Sequence, residues 1–228
     1  MVWKQCEDCD HIFTSGYFTP TVEADLFKKI QADQVAGYDM ERNRGPASKI
    51  VDRVMPFVTE GVWLDVGFGN GALLFAAQEY GFHPVGLDTR AENVQLLRTY
   101  GIPAYAQSVA QVQMTEACSV VSMMDVLEHM PYPGDGLRGA HALLKSNGIL
   151  LVSMPNTECA VWRLWDEQNG NPYWGELEHY HNFSRTRLYS LLREYGFKPL
   201  QYKISERYRA CMEVIAVKAP PQNERKDP

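Results

Sequence analysis

Apolar residues along the chain gather into short dense runs separated by stretches of helical spacing, the alternation expected of a sheet whose strands are joined by crossover helices. Runs centred on Trp63, Val85, Ala104, Val120, Leu150, Leu200 and Val214 are predicted as strands, with helices between the first six and an antiparallel hairpin formed by the last two. Ahead of them, Val22, Leu26, Phe27, Ile30 and Val35 recur at helical spacing and predict an amphipathic helix over 21–40. A second helix is expected to start at Pro46, where a first-turn proline fits, and to carry Ile50, Val51, Val54 and Met55 to near Pro56. Residues 1–20 are aromatic and cysteine-bearing with no period, and from Ala219 onward proline, glutamine and charge predict a frayed tail. The pattern predicts an α/β protein built on a doubly wound, seven-stranded, mostly parallel sheet with an N-terminal helical cap.

The run Val62-Trp63-Leu64-Asp65-Val66 ends in Gly67-Phe68-Gly69-Asn70-Gly71 and passes into the apolar helix Ala72-Leu73-Leu74-Phe75-Ala76-Ala77. Glycines there let the backbone turn sharply and let a ligand approach it, while the helix N-terminus presents unpaired amides. The spacing is G-x-G-x-G and departs from the G-x-G-x-x-G of dinucleotide sites. Asp88, 21 residues beyond Gly67, closes the next apolar run and is placed to accept ribose hydroxyls, a task shared by several adenosine cofactors. By itself it does not choose among them.

Two further stretches make the choice. Val120-Val121-Ser122-Met123-Met124-Asp125-Val126-Leu127-Glu128-His129 and Leu143-Leu144-Lys145-Ser146-Asn147-Gly148, leading to Met154-Pro155-Asn156, follow the glycine loop in order. Together these residues resemble the class I S-adenosylmethionine-dependent methyltransferases, in particular the group with D-V-L-E-H after the fourth strand and L-K-P-G-G before the fifth. The resemblance spans roughly Ile50 to Tyr202. Ser146-Asn147-Gly148 stands where the group has Pro-Gly-Gly, and still supplies residues tolerant of positive φ. Cys118-Ser119 stands where Phe-Asp commonly opens the fourth strand.

The resemblance implies a Rossmann-like methyltransferase domain over 46–218, preceded by a cysteine-bearing segment and cap helix over 1–45, interrupted by a lid insertion over 157–183 and followed by a flexible tail over 219–228. It implies S-adenosylmethionine as cofactor, held by Asp65, Gly67, Gly69 and Asp88, with Met124 and Asp125 at its methionine end and Ser108 toward the adenine. Transfer to a hydroxyl or ammonium also needs a proton acceptor. His129, His179 and His181 are the candidates, with Glu128 beside them, because histidine titrates near neutrality and a buried carboxyl is raised toward it. The stretch Glu178-His179-Tyr180-His181-Asn182-Phe183-Ser184 resembles the E-H-x-H-x-F-S of the same group. The insertion is rich in aromatic residues, and Trp174, between Pro172-Tyr173 and Gly175, is the candidate acceptor contact together with Glu178.

Composition narrows the acceptor. A net charge of −6 with no extended basic cluster argues against nucleic acid as partner. No apolar stretch reaches the length of a membrane span, and the chain is expected to be cytoplasmic. Five dispersed cysteines do not form a disulfide framework. No resident metal is expected; Cys6, Cys9 and His11 alone have the spacing of zinc ligands, with a packed aromatic knuckle as the alternative. The expected activity is methylation of a small molecule, on an oxygen of a sugar, lipid or secondary metabolite. A protein side chain as acceptor, a cofactor-binding scaffold without turnover, and a homodimer stay open at this stage.

Overall fold

The computed structural model describes residues 2–19, 21–22, 25–26, 32–113, 115–208 and 210–219. All seven expected strands are present: β3 (Val62–Val66), β4 (His83–Asp88), β5 (Ala104–Ala106), β6 (Cys118–Met124), β7 (Leu144–Pro155), β9 (Phe197–Ile204) and β10 (Cys211–Lys218). They form one sheet in the order β5-β4-β3-β6-β7-β10-β9. The first five run parallel, and β10 enters antiparallel between β7 and β9. Continuous apolar sequence in β6 and most of β7 follows from burial on both faces, since helices cover the sheet on each side.

One face carries α1 (Met40–Val54), α2 (Ala72–Glu79) and α3 (Ala91–Thr99), whose Ile50, Val51, Leu74 and Leu97 pack on Trp63, Val120 and Ile149. The other carries α4 (Pro133–Leu143) and α6 (Arg185–Glu194), whose Leu137, Ala140, Leu188 and Leu192 pack on Leu64, Val121 and Val152. From central β3 the chain moves outward through β4 and β5, then returns to β6 on the opposite side. The crevice at the carboxyl ends of β3 and β6 is therefore a topological switch point, where open α/β sheets bind ligands.

Three features differ from the sequence expectation. Pro46 lies inside α1, six residues after Met40, and not in its first turn. The amide it lacks would have faced the carbonyl of Arg42, an exposed residue, so the missing bond falls on the solvent side and the helix continues through it. Of the helix expected over 21–40, residues 21, 22, 25 and 26 are helical, 23–24 and 27–31 lie outside the described residues, and 32–34 form a 3₁₀ turn. The Ser146-Asn147-Gly148 turn does not end an element. Asn147 takes φ 61° within β7, where pairing with β6 jumps from Cys118↔Leu144 to Val120↔Ile149, so the turn is absorbed as an irregularity of the strand.

The aperiodic N-terminus holds a second sheet. β1 (Trp3–Gln5) and β2 (Ile12–Thr14) form a hairpin, and β2 pairs antiparallel with β8 (His181–Asn182) through Phe13↔His181 and Ile12↔Asn182. The insertion supplies β8 together with α5 (Ala160–Glu167) and a 3₁₀ turn at Pro172–Trp174. The described residues contain no helix long and apolar enough to cross a membrane.

Candidate active site

Gly67, Gly69 and Gly71 all take positive φ (67°, 54° and 77°), so the loop between β3 and α2 is a left-handed turn. A Cβ at Gly67 would come within 2.8 Å of Val126 Cγ2, whereas one at Gly69 would meet nothing within 4 Å. The loop is thus pressed against the end of β6 on one side and open on the other. Asn70 Oδ1 accepts from Ala72 N at 3.0 Å and caps the helix start.

Two carboxylates flank this loop. Asp65 is 3% exposed and accepts from Ser122 Oγ at 2.6 Å, and that hydroxyl accepts from Trp63 Nε1 at 2.9 Å. Burial pushes the Asp65 carboxyl up to about 7, against the pull of the Ser122 hydrogen bond. Asp88 ends β4, and Arg90 grips it as a fork: Nε to Oδ1 at 2.9 Å and Nη2 to Oδ2 at 2.6 Å, with the Arg90 amide also on Oδ1 at 2.9 Å. Asn93 Nδ2 donates to Gly69 O at 2.9 Å and lies 3.5 Å from Asp88 Oδ2, while its Oδ1 accepts from Ala36 N at 2.8 Å. The segment before α1 is in this way fastened to the glycine loop, as it is by Gly37 N donating to Asn70 O at 2.9 Å.

At the end of β6, Asp125 takes φ 59°. It accepts from Ser153 Oγ, and Arg207, from the β9–β10 connection, lies 2.8 Å from its Oδ2 and donates to Ser153 Oγ at 2.9 Å. Met124 is buried beneath it. Directly beyond, Glu128 is 1% exposed, its carboxyl raised well above the usual range by burial and by Asp125. His129 Nδ1 donates to Glu178 O at 2.9 Å, which leaves Nε2 as the basic nitrogen. His179 stands edge-on to His129 with ring centroids 4.6 Å apart, and burial and that neighbour push it down to about 3. Burial also lowers His129. Tyr173 stacks on His179 at 6.0 Å, and Tyr180 N donates to Glu128 O at 2.8 Å, locking the insertion onto the end of β6.

His181 goes elsewhere. Its Nε2 donates to Pro131 O at 3.3 Å, so its Nδ1 receives a hydrogen bond from His11 Nε2 at 3.0 Å. His11 in turn has its ring against Phe183 and its buried Nδ1 without a partner, and burial depresses it to about 3. The sequence grouping of Cys6, Cys9 and His11 is corrected by this geometry: the β2–β8 pairing turns His11 inward to His181, away from the exposed loop that carries Cys9.

Trp174 is 38% exposed, donates to Asp166 Oδ1 at 2.6 Å and packs edge-on against Trp3 and Trp162. Glu178 meets His129 through its backbone carbonyl. Ser108 opens the 3₁₀ turn after β5, its amide held by Gln111 Oε1 at 3.1 Å. Sequence reasoning missed Arg90, Asn93 and Arg207. Of these, Asn93 carried a readable signal, as a buried polar residue on the apolar face of α3.

Buried carboxylates thus stand on either side of a left-handed glycine loop at the switch point of the sheet, with Asp125 at the end of the neighbouring strand. The Methyltransferase domain family matches residues 24–202. Curated relatives include a ubiquinone biosynthesis O-methyltransferase of Pectobacterium atrosepticum, 26% identical over 161 residues covering 64% of this chain and 67% of the relative. Its counterpart in Paramagnetospirillum magneticum is 35% identical over 107 residues, covering 44% of this chain and 43% of the relative, so the chain spans under half of that protein. Among solved structures, the 1,6-didemethyltoxoflavin-N1-methyltransferase of Burkholderia thailandensis, bound to 1,6-didemethyltoxoflavin and S-adenosylhomocysteine, superposes with a TM-score of 0.65 at 20% identity, over 95% of this chain and 99% of that one. Ordered motifs, sheet order and family match agree: the chain belongs to the class I S-adenosylmethionine-dependent methyltransferases.

Proposed function

We propose that the protein methylates a hydroxyl oxygen of a small molecule. The observation that carries this is the cluster of buried Glu128 and half-buried His129, just beyond Asp125, with buried His179 of the insertion, since a hydroxyl must lose its proton as it is methylated. Bound S-adenosylmethionine supplies a methyl carbon whose bond to sulfur breaks, the electron pair passing to sulfur, as the bond to the acceptor oxygen forms. Asp88 is assigned to the ribose, Gly67 and Gly69 to the backbone cradle, Asp65, Met124 and Asp125 to the methionine end, and Ser108 to the adenine side. Neutral His129 and His179 face the acceptor and take part in removing its proton. His181, tied to His11 and Pro131, holds the wall of the site. Trp174 and Glu178 belong to the insertion that closes over the acceptor and excludes water. The names of the curated relatives, O-methyltransferases of a small-molecule pathway, support an oxygen acceptor.

The test is S-adenosylhomocysteine formation with panels of phenols, sugars and amines. Turnover with a hydroxyl compound is expected, falling about 10²–10⁴-fold in His129→Ala and His179→Ala while S-adenosylhomocysteine binding is retained. Turnover confined to amines, or unchanged in both variants, overturns the reading.

A further inference from the structure

Glu128, His129 and His179 each present one ligand atom within 4.8 Å of the others. Two of the three leave a buried polar atom without a hydrogen-bond partner, Glu128 Oε2 and His179 Nδ1, on residues 1% and 8% exposed. A buried polar atom with no partner is costly, and two in one cluster are a deficit that a ligand reaching both would remove. The His129 ring is oriented by donation from Nδ1 to the Glu178 carbonyl, the outer support that fixes a metal-ligating imidazole in its tautomer and aims Nε2 inward. Tyr173 and the Tyr180 amide keep the His179 segment against Glu128.

We propose that Glu128, His129 and His179 bind a divalent transition-metal cation of the zinc, cobalt or nickel type. Two imidazoles and one carboxylate are a donor set for those ions, whereas magnesium and calcium favour oxygen alone. Ligand atoms on a tetrahedral centre of this kind lie about 3.3–3.5 Å apart, so the three groups close on the ion by about an ångström, within the reach of side-chain torsions. Three protein ligands leave a fourth position, the arrangement of catalytic and not structural sites. Resting on the hydroxyl-acceptor reading, that position takes the acceptor oxygen beside the donor's methyl group. The two imidazoles then act through the cation and not as bases: it polarises the hydroxyl, whose proton is lost to solvent as the acceptor binds and before the oxygen forms its bond to carbon.

The test uses the full chain after chelation and dialysis, titrated with Co²⁺ and followed by visible absorption, with Zn²⁺ stoichiometry by calorimetry. One equivalent of Co²⁺ with the intense bands of a four- or five-coordinate ion is expected, and Glu128→Gln and His179→Ala should weaken binding at least 30-fold. Both variants should keep the thermal shift given by S-adenosylhomocysteine, which shows that the fold and the donor site survive. Equal Co²⁺ binding by wild type and variants, or no stoichiometric binding by wild type, overturns the site. Hydroxyl methylation that persists unchanged after chelation removes the cation's role and leaves the hydroxyl reading standing. A tightly bound cation with no transfer to any hydroxyl does the reverse.

Discussion

Asp88 accepts four contacts from Arg90 and Asn93, enough to occupy the lone pairs of a carboxylate, so the ribose hydroxyls assigned to it compete with the Arg90 fork. Binding then carries the cost of moving a guanidinium, and removing that competitor lifts the cost. Arg90→Ala is expected to tighten S-adenosylhomocysteine binding about 3–10-fold by calorimetry; weaker binding would make Arg90 part of the ligand site. At Asp65 the consequence is a pH dependence. Its folded carboxyl titrates near 7, above the ordinary 3.8, so the folded state holds a proton that the unfolded chain has released. The stability this confers is complete below about pH 4 and is lost as pH rises through 7. Asp65→Asn, which keeps an acceptor for Ser122, should gain on wild type across that interval, by about 4 kcal/mol at most, in urea unfolding series at successive pH values. Parallel curves for the two proteins would show that Asp65 stays ionised.

The central strands of the large sheet were legible because β3, β6 and most of β7 are local runs of apolar residues, almost wholly buried, whereas the edge strands β5 and β9 are largely exposed and were read from their place in the alternation. The small sheet was hidden for the opposite reason: β1, β2 and β8 are two or three residues long, and Phe13 meets His181 across most of the chain, which no local period records. The same distance concealed the partner of His11. The glycine loop and the two carboxylates beside it were readable as motifs, but the cluster joining His179 to Glu128 exists only once the insertion folds back on β6. Beside the β2–β8 pairing and the Trp3 contact with Trp174, the hairpin is docked by His11, whose ring packs on Phe183 and whose Nε2 serves His181. His11→Ala empties that space and leaves His181 Nδ1 unpaired, so it should cost about 2–4 kcal/mol and lower the melting temperature roughly 5–15 °C. A loss under about 1 kcal/mol, or a few degrees, would mean that the hairpin is not held by this pair.

At the scale of the whole molecule, the glycine loop ties together parts that are distant in sequence. Asn93 on α3 bonds both Ala36 ahead of α1 and Gly69 in the loop, and Gly37 bonds Asn70. A ligand seated on the glycine loop therefore stabilises the segment before α1 as well as the sheet, because opening that segment breaks the bonds that shape the loop. S-adenosylhomocysteine at about 100 times its dissociation constant should add about 2.7 kcal/mol and raise the melting temperature roughly 5–10 °C, with no comparable response to NAD. In hydrogen exchange the Ala36 and Gly37 amides should slow together on ligand addition although neither is assigned to the ligand. Asn93→Ala should abolish that protection at Ala36, whose acceptor it removes, while the Leu64 and Val121 amides in the centre of the sheet keep theirs. Protection of Ala36 that survives the substitution would mean that the segment is held independently of the loop, and that the cap and the donor site are separate structures.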